Sequence, residues 1–177
     1  MEPGAGPFTP EEDWSFETTA RDSPVVIQSV RAPDGWVLKA VLHGGVDVID
    51  SGLEIRSGQR SDGLRLVVSN RFSTVTGTVA TGEGRNAADY TVVVFADDPN
   101  RWTPMTRYIA TGRPNQRGTF EVSKLPPGRY LAAAVDYLEE GQQTDPEYLE
   151  ILRAYATPFE LRDGERRRLK LEMATLN

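Results

Sequence analysis

Cysteine is absent from this sequence of 177 residues, and histidine occurs once, at His43. Without cysteine the chain has no disulfide bonds, no thiolate nucleophile and no cysteine-bearing metal site. A single histidine also excludes a zinc site that one chain builds from several histidines. Because Leu42-His43-Gly44-Gly45 is typical of a hairpin turn, we expect His43 to be a solvated polar residue rather than a catalytic base.

An excess of positive charge and a long apolar run are also missing. The formal net charge is -6 and the isoelectric point is about 4.9, whereas binding to phosphate backbones needs a concentrated positive surface. No apolar run approaches the roughly 20 residues that cross a bilayer, and residues 1–6 lack the basic and apolar regions of a secretory signal. We therefore expect neither nucleic-acid binding nor membrane insertion.

Motifs for catalysis are lacking as well. The sequence contains no Gly-x-Ser-x-Gly elbow, no His-Glu-x-x-His helix and no phosphate-binding loop that ends in Gly-Lys-Ser/Thr. Paired carboxylates occur in any acidic protein, so a solvated surface is a better interpretation of them than glycosidase-type chemistry. We expect a protein that is not an enzyme, with no catalytic residue, no cofactor and no metal site.

An acidic segment at 136–150 leaves one metal alternative open. It contains six carboxylates and no lysine or arginine. A loop of this charge could bind calcium through its oxygen atoms, but the fixed ligand spacing of an EF-hand is missing. Solvation is the first interpretation of the segment, and calcium binding stays open.

Short β-type segments dominate what is present. Hydrophobic residues make up 38% of the chain and charged residues 26%, so the chain can form a core. Runs of β-branched and aromatic residues alternate with turn residues at the spacing of β-sandwiches. The predicted strands cover 14–19, 24–30, 35–42, 53–56, 64–69, 73–79, 90–95, 107–111, 118–122, 129–136, 156–161 and 166–173. The continuously apolar run at 90–95 is typical of a central strand that is buried on both faces.

The pattern divides the chain into three parts. Prolines and glycines in 1–13 disfavour the interiors of helices and strands, so this part is predicted to be an extended arm. The β pattern begins at Trp14 and restarts at Ser73. We therefore predict two β units, an atypical or incomplete β-sandwich unit over 14–70 and a second domain over 73–177.

One short helix is predicted near 144–154. Thr144 and Glu147 have the spacing of a capping box, and Pro146 lies in the first turn. Apolar residues recur at helical spacing at Tyr148, Leu149, Leu152 and Tyr155. We expect this apolar stripe to pack on one end of a sandwich, and docking of a partner is the alternative.

Four sequence elements carry a family resemblance over 73–173. They are Val75-Thr76-Gly77-Thr78-Val79, the run 91–95, Gly118-Thr119-Phe120 and Leu125-Pro126-Pro127-Gly128-Arg129-Tyr130. Together they resemble the carboxypeptidase regulatory-like family, whose modules are similar to transthyretin. The resemblance implies an all-β fold with a transthyretin-like Greek-key β-sandwich, which a smaller or incomplete β-sandwich unit precedes.

The residues of these elements also have physical roles that can be read without the family. Gly77 inside a strand indicates a bulge or a close backbone approach. Pro126-Pro127-Gly128 indicates a tight hairpin in which Gly128 is expected to adopt a positive φ. Phe120 and Tyr130 are expected to fill the core beside that hairpin.

The resemblance implies a non-catalytic structural or interaction module of a larger bacterial extracytoplasmic or envelope protein. The unit over 14–70 resembles the family only in its later strands, because the opening strand has no counterpart before Trp14. Such a unit would leave an open strand edge. We expect this edge to be filled by the arm around Phe8, by the second unit or by another copy of the chain.

Three aromatic residues are candidate contacts for a partner or ligand, namely Trp102, Tyr108 and Phe8. Trp102 lies between two proline-containing turns, and an exposed tryptophan there could stack on a sugar ring or anchor a protein. With Tyr108 it would form the platform of a carbohydrate-binding module, which is the alternative function. Trp102 could instead fold back against the helix, whereas Trp14 and Trp36 are expected in the core.

The last predicted strand has a basic face. Arg166, Arg168 and Lys170 alternate with Arg167, Leu169 and Leu171, so the two sets lie on opposite faces of a strand. We interpret the basic set as a solvated strand face rather than a binding patch.

Overall fold

The computed structural model describes residues 11–19, 27, 34–55, 60–81, 87, 89–103 and 106–176. The chain divides into two compact units, unit 1 at Met1–Asn70 and unit 2 at Arg71–Asn177. Phe8 and the arm up to residue 10 lie outside the described residues, as does the predicted strand at 24–30 apart from Ile27. In the described part of the chain, no helix has the length and apolar character needed to cross a membrane.

Unit 1 contains a three-stranded antiparallel sheet in its described part. Its strands are β1 at Val37–His43, β2 at Val46–Asp47 and β3 at Leu64–Ser69, in the order β2-β1-β3. Gly44 and Gly45 connect β1 to β2 with φ angles of 57° and 83°. Positive φ at both central residues is the requirement of a type I′ hairpin, which glycine meets without strain. The small core of this unit gathers around Ile27, Val41 and Ile49.

Two strand predictions in unit 1 are wrong. Residues 14–19 form no strand, and Leu53 makes only an isolated bridge within 53–55. The amide of Trp14 donates to the carbonyl of Glu11 at 3.0 Å, and the amide of Ser15 donates to Oδ1 of Asp13 at 3.0 Å. These bonds form a turn that puts Trp14 at a φ of 65°.

The tryptophans of unit 1 are not core residues as predicted. Trp14 is 81% exposed because it lies in that turn, and Trp36 is 41% exposed because it precedes β1. The core positions of the sheet are filled by aliphatic side chains instead.

Unit 2 is a two-sheet β-sandwich, as predicted. Its described strands are β4 at Ser73–Ala80, β5 at Thr91–Ala96, β6 at Ile109–Gly112, β7 at Thr119–Leu125, β8 at Gly128–Val135, β9 at Thr157–Leu161 and β10 at Arg166–Glu172. One sheet has the order β10-β4-β7, with β10 parallel to β4. The other has the order β6-β5-β8-β9 and is antiparallel throughout.

The main core lies between these two sheets. Phe120 of β7 is fully buried and Tyr130 of β8 is 1% exposed, which confirms the prediction for both residues. Tyr130 stacks on Phe159 with ring centroids 5.9 Å apart, and Tyr90 meets Phe120 edge to face at 6.5 Å. Aromatic contacts of this geometry add to the free energy that area burial already gives.

A second core covers the outer face of the four-stranded sheet. All six residues of β5 are buried, so the prediction of a strand buried on both faces is confirmed. The helix α1 at Pro146–Arg153 provides the cover through Tyr148, Leu149 and Leu152. The helix therefore packs on a sheet face and not on an end of the sandwich, because β5 and β8 carry apolar residues on both faces.

The start of α1 differs from the prediction. The N-cap is Asp145, whose Oδ1 accepts a hydrogen bond from the amide of Glu147 at 2.9 Å. Thr144 belongs to a short 3-10 helix at Gln142–Thr144, and its hydroxyl donates to the carbonyl of Gly141. Aspartate takes the cap position because its side chain reaches the amide two residues ahead.

The Pro126-Pro127-Gly128 hairpin connects β7 to β8, but its glycine does not have the predicted positive φ. Gly128 is the first residue of β8, and the left-handed residue is Lys124, with a φ of 71°. Lys124 is the extra residue of a bulge where the pairing of β7 with β4 shifts. The hydroxyl of Tyr130 on β8 donates to the carbonyl of Pro126 at 2.8 Å and so stabilises the hairpin.

As predicted, neighbouring atoms approach the backbone of β4 closely at Gly77. A β-carbon at this position would meet the carbonyl oxygen of Leu169 and lie 2.8 Å from Cε1 of Phe120. We expect Gly77→Ala to lower the free energy of unfolding by about 1–3 kcal/mol through overpacking. Urea unfolding followed by circular dichroism measures the change.

Gly128→Ala is the matched control for this substitution. A β-carbon at Gly128 would lie 3.4 Å from Cε2 of Tyr130, which is ordinary contact. The expected loss is therefore much smaller than at Gly77. Equal losses for the two variants would contradict the close approach at Gly77.

Candidate functional site

Trp102 returns to the sheet after a short turn and is buried. A 3-10 helix at Pro99–Arg101 follows β5, and Oδ1 of Asp98 caps it by accepting from the amide of Asn100 at 3.0 Å. Trp102 is 5% exposed, and its indole N–H donates to the carbonyl of Ala96 at 2.7 Å. Of the two alternatives for Trp102, the structure has the one in which the ring folds back against the helix rather than the exposed ligand contact, since this hydrogen bond lets the whole ring enter the core beside α1.

Tyr108 is also unavailable as a binding platform. It is 7% exposed, and the guanidinium of Arg101 lies 4.2 Å from its ring centroid. Arg107 lies over the same ring at 5.2 Å, and its Nη2 donates to the hydroxyl of Tyr108 at 3.2 Å. Two arginines thus occupy the ring that a sugar would have to contact. Phe8, the third candidate, lies outside the described residues.

Asp97 connects three elements of unit 2 directly after β5. Its Oδ1 accepts from Nη1 of Arg153 at 3.0 Å, and its Oδ2 accepts from Nη2 of Arg129 at 2.8 Å. Arg153 also donates to the carbonyl of Asp97 at 3.1 Å and lies 5.1 Å from the ring centroid of Trp102. The sequence offered only one signal for this cluster, a basic residue in the last turn of the predicted helix. The cluster holds α1 on the sheet.

His43 forms a pair that sequence reasoning missed. The residue ends β1 rather than lying in the turn, and its Nε2 is 3.0 Å from Oγ of Ser61. Among the described residues, no carboxylate hydrogen-bonds the other ring nitrogen of His43. A serine and a histidine without an orienting acid form an incomplete set for nucleophilic catalysis. The side chain is half-buried rather than fully solvated.

Carboxylates of the acidic segment at 136–150 have separate partners rather than a shared site. Asp145 caps α1, and Glu150 pairs with Nε of Arg153 at 3.1 Å. Burial raises the pKa of the Tyr148 hydroxyl, and the charge of Asp136 adds to this shift. Within the described ranges, no three histidine, aspartate or glutamate side chains form a group that could hold a metal ion.

Exposed apolar side chains remain in both units. Ile151 on α1 is 55% exposed, and Tyr155, two residues after the end of α1, is 45% exposed. The predicted stripe therefore continues to Leu152 but not to Tyr155, because the helix ends at Arg153. In unit 1 the exposed apolar side chains of the strands are Val46 and Val68, at 65% and 37%.

The edge strands of unit 2 carry features that oppose pairing with another strand. Pro158 interrupts the donors of β9, and β10 begins with three consecutive arginines. The bulge at Lys124 distorts β7, and β6 has four residues. Short, bulged, charged or proline-containing edges are poor templates for strand addition.

The outer edge of β3 in unit 1 has none of these features. Its sequence is Leu64-Arg65-Leu66-Val67-Val68-Ser69, with one charge and without proline or glycine. One side of β3 pairs with β1, and on the other side no strand of the described part of the chain pairs with it. This edge is the candidate site for assembly.

The two arginines that pair with Asp97 are expected to differ in their effect on stability. Arg153→Ala should lower the free energy of unfolding by about 1–3 kcal/mol, because it removes charge-assisted hydrogen bonds that are partly buried. Arg129 is 80% exposed, so Arg129→Ala should cost less than about 1 kcal/mol. Urea unfolding of both variants tests the ranking, and equal losses would contradict the role of Arg153 as the anchor of α1.

Comparisons with known proteins give no family. No family model matches the chain, and no curated protein matches it. The resemblance of 73–173 to the carboxypeptidase regulatory-like family therefore stays a prediction.

Solved structures match part of the chain at low TM-scores. The major pilin subunit of Bacillus cereus matches at a TM-score of 0.36 and 13% identity, over 65% of this chain and 33% of that chain. A candidate carbohydrate binding protein from Pseudomonas aeruginosa matches at 0.33 and 9% identity, over 56% and 87%. Chlorocatechol 1,2-dioxygenase from Pseudomonas putida matches at 0.34 and 13% identity, over 59% and 61%. These TM-scores are too low to support an argument about function, and this chain spans a third of the pilin.

Proposed function

We propose that the chain is a non-catalytic β-sandwich module of a larger bacterial extracytoplasmic protein, which assembles through strand addition at the edge of β3 that faces away from β1. The partner is another copy of the chain or a second protein. The extracytoplasmic setting rests on the family resemblance of 73–173. The assembly role rests on the edge of β3 itself.

The edge of β3 supports this proposal because it differs from the edges of unit 2. The extended backbone of β3 from Leu64 to Val68 presents N–H and C=O groups on the side away from β1, where no described strand pairs with it. Val68 lies on this strand with 37% of its surface exposed. An added strand would satisfy the backbone groups and cover the exposed apolar surface, which is how strand addition generates affinity.

The non-catalytic part of the proposal is supported by the arrangement of polar groups. The Ser61 and His43 pair lacks an orienting acid among the described residues, and Asp97 is held by two arginines. The described carboxylates form no group suited to a metal. Catalysis would need such groups to converge on one reacting atom.

The assembly proposal predicts that Val68→Lys weakens self-association, because a charge on an edge strand opposes pairing. Val46→Lys is the matched control, since Val46 is also an exposed valine of unit 1 but lies on β2. Light scattering over a range of protein concentrations should show association of the wild type and of Val46→Lys, and a monomer for Val68→Lys. A wild type that is monomeric at every concentration, or equal behaviour of the two variants, would contradict assembly through β3.

Deletion of residues 1–13 separates the two sources of an added strand. If the arm fills the edge of its own chain, the shortened protein should associate more strongly than the wild type. If another copy fills the edge, association should be unchanged. Light scattering and urea unfolding of the shortened protein make this distinction.

A carbohydrate-binding module is the second candidate function. It is supported by tryptophans other than Trp102, the one named for this role from the sequence. Trp14 is 81% exposed and Trp36 is 41% exposed, so their rings are open to a sugar. Tryptophan fluorescence titrated with a panel of neutral polysaccharides should then change, and the change should be lost in Trp14→Ala and Trp36→Ala together. Fluorescence that stays constant across the panel would exclude this function.

A further inference from the structure

The outer face of the β10-β4-β7 sheet carries a regular row of cations. Leu169 and Leu171 of β10 enter the main core, so the alternate residues Arg166, Arg168 and Lys170 lie on the outer face, where all three are exposed. Residues two apart on a strand are separated by roughly 6.4–6.8 Å. The strand thus places three positive charges at equal intervals along a straight line. This outer surface is called the basic face.

Hydroxyl groups lie beside these cations. In the register of β10 with β4, Arg168 pairs with Thr76 and Lys170 pairs with Thr78. Both threonines are half-buried and face outward, since Val75 and Val79 of the same strand enter the core. The next strand, β7, adds two further outward hydroxyl residues, Thr119 and Ser123. Hydrogen-bonding groups without charge therefore border the row of cations.

A fourth cation is added by the bulge in β7. Ser123 pairs with Thr74 and Leu125 pairs with Ser73, which leaves Lys124 as an extra, exposed residue at the end of the sheet where Arg166 lies. A lysine in the left-handed region costs on the order of 1 kcal/mol. Local strain of this kind is found preferentially at functional positions.

The charges of the basic face are not neutralised by ion pairs within the described part of the chain. Arg166, Arg168, Lys170 and Lys124 make no ion pair with any described residue, in contrast to Arg167, which lies 3.6 Å from Glu165. Two acids share the face, Glu121 in the middle of β7 and Glu172 at the far end of β10. The cations outnumber these acids, although the chain as a whole has a net charge of -6.

We propose that the basic face binds a linear acidic polysaccharide. Evenly spaced cations can pair with carboxylates or sulfates that repeat along a polymer, and the threonine and serine hydroxyls can exchange hydrogen bonds with sugar hydroxyls. The outward positions of the three strands carry no aromatic residue, so neither nucleobases nor neutral sugar rings find a stacking surface there. This face and its ligand are independent of the β3 edge and of assembly.

Polygalacturonate and its fully methyl-esterified form are suitable probes, because they share a backbone and differ only in charge. Calorimetry at low salt should detect binding of the acid form and not of the ester. Arg168→Gln with Lys170→Gln should reduce the affinity about tenfold, as expected for the loss of two exposed ion pairs. Glu121→Gln should increase the affinity, because it removes the acid in the middle of the face.

Arg113→Gln with Arg129→Gln is the matched control, since both arginines are exposed and neither lies on a strand of the β10-β4-β7 sheet. The control should bind like the wild type, as should Val68→Lys. Equal binding of the ester, equal losses in the two double variants, or tighter binding of single-stranded DNA would overturn the proposal. So would salt-sensitive self-association that is lost in Arg168→Gln with Lys170→Gln while the acid polymer does not bind.

Discussion

Burial of the four-stranded sheet of unit 2 on both faces is the constraint on which the rest of the unit depends. Along β5, Val92 and Val94 enter the core between the sheets, whereas Val93 and Phe95 enter the core beneath α1. An apolar strand of this kind is stable only when both faces are removed from water. The second sheet covers one face, and the helix with Trp102 covers the other. Asp97 matters because it fixes the end of that helix to the end of β5.

The parts of the fold that follow from local pattern could be predicted from the sequence. The continuous apolar run of β5, the crowded glycine at Gly77 and the buried Phe120 each follow from residue type and spacing. The surface that α1 covers could not be predicted, because an apolar stripe shows that a helix packs against something but not which surface it packs against. The strand predicted at 14–19 failed for a different reason. The side chain of Asp13 bonds the amide of Ser15 and forms a turn, which competes with an extended conformation.

The candidate site was less predictable because its contacts join distant parts of the sequence. Arg153 and Asp97 are 56 residues apart, and His43 and Ser61 are 18 residues apart. Neither spacing is a motif, so a single sequence does not indicate which residues form such pairs. Trp102 shows the same limit, since its polar surroundings left both exposure and burial open. The carbonyl of Ala96 satisfies its one polar atom, and a tryptophan whose N–H has a partner can be buried completely.

Folding determines the residues on the inner face of β10 but leaves the choice of charge on its outer face open. The core requires Leu169 and Leu171 on the inner face, and the edge position favours charge over apolar residues. Neither requirement asks for like charges in a row on the outer face, where repulsion between neighbours lowers stability slightly. Mixed charges would protect the edge equally well and could pair with one another. The choice of three successive cations at the outward positions Arg166, Arg168 and Lys170, beside uncharged hydroxyls, is therefore better explained by a negatively charged ligand than by the stability of the sandwich.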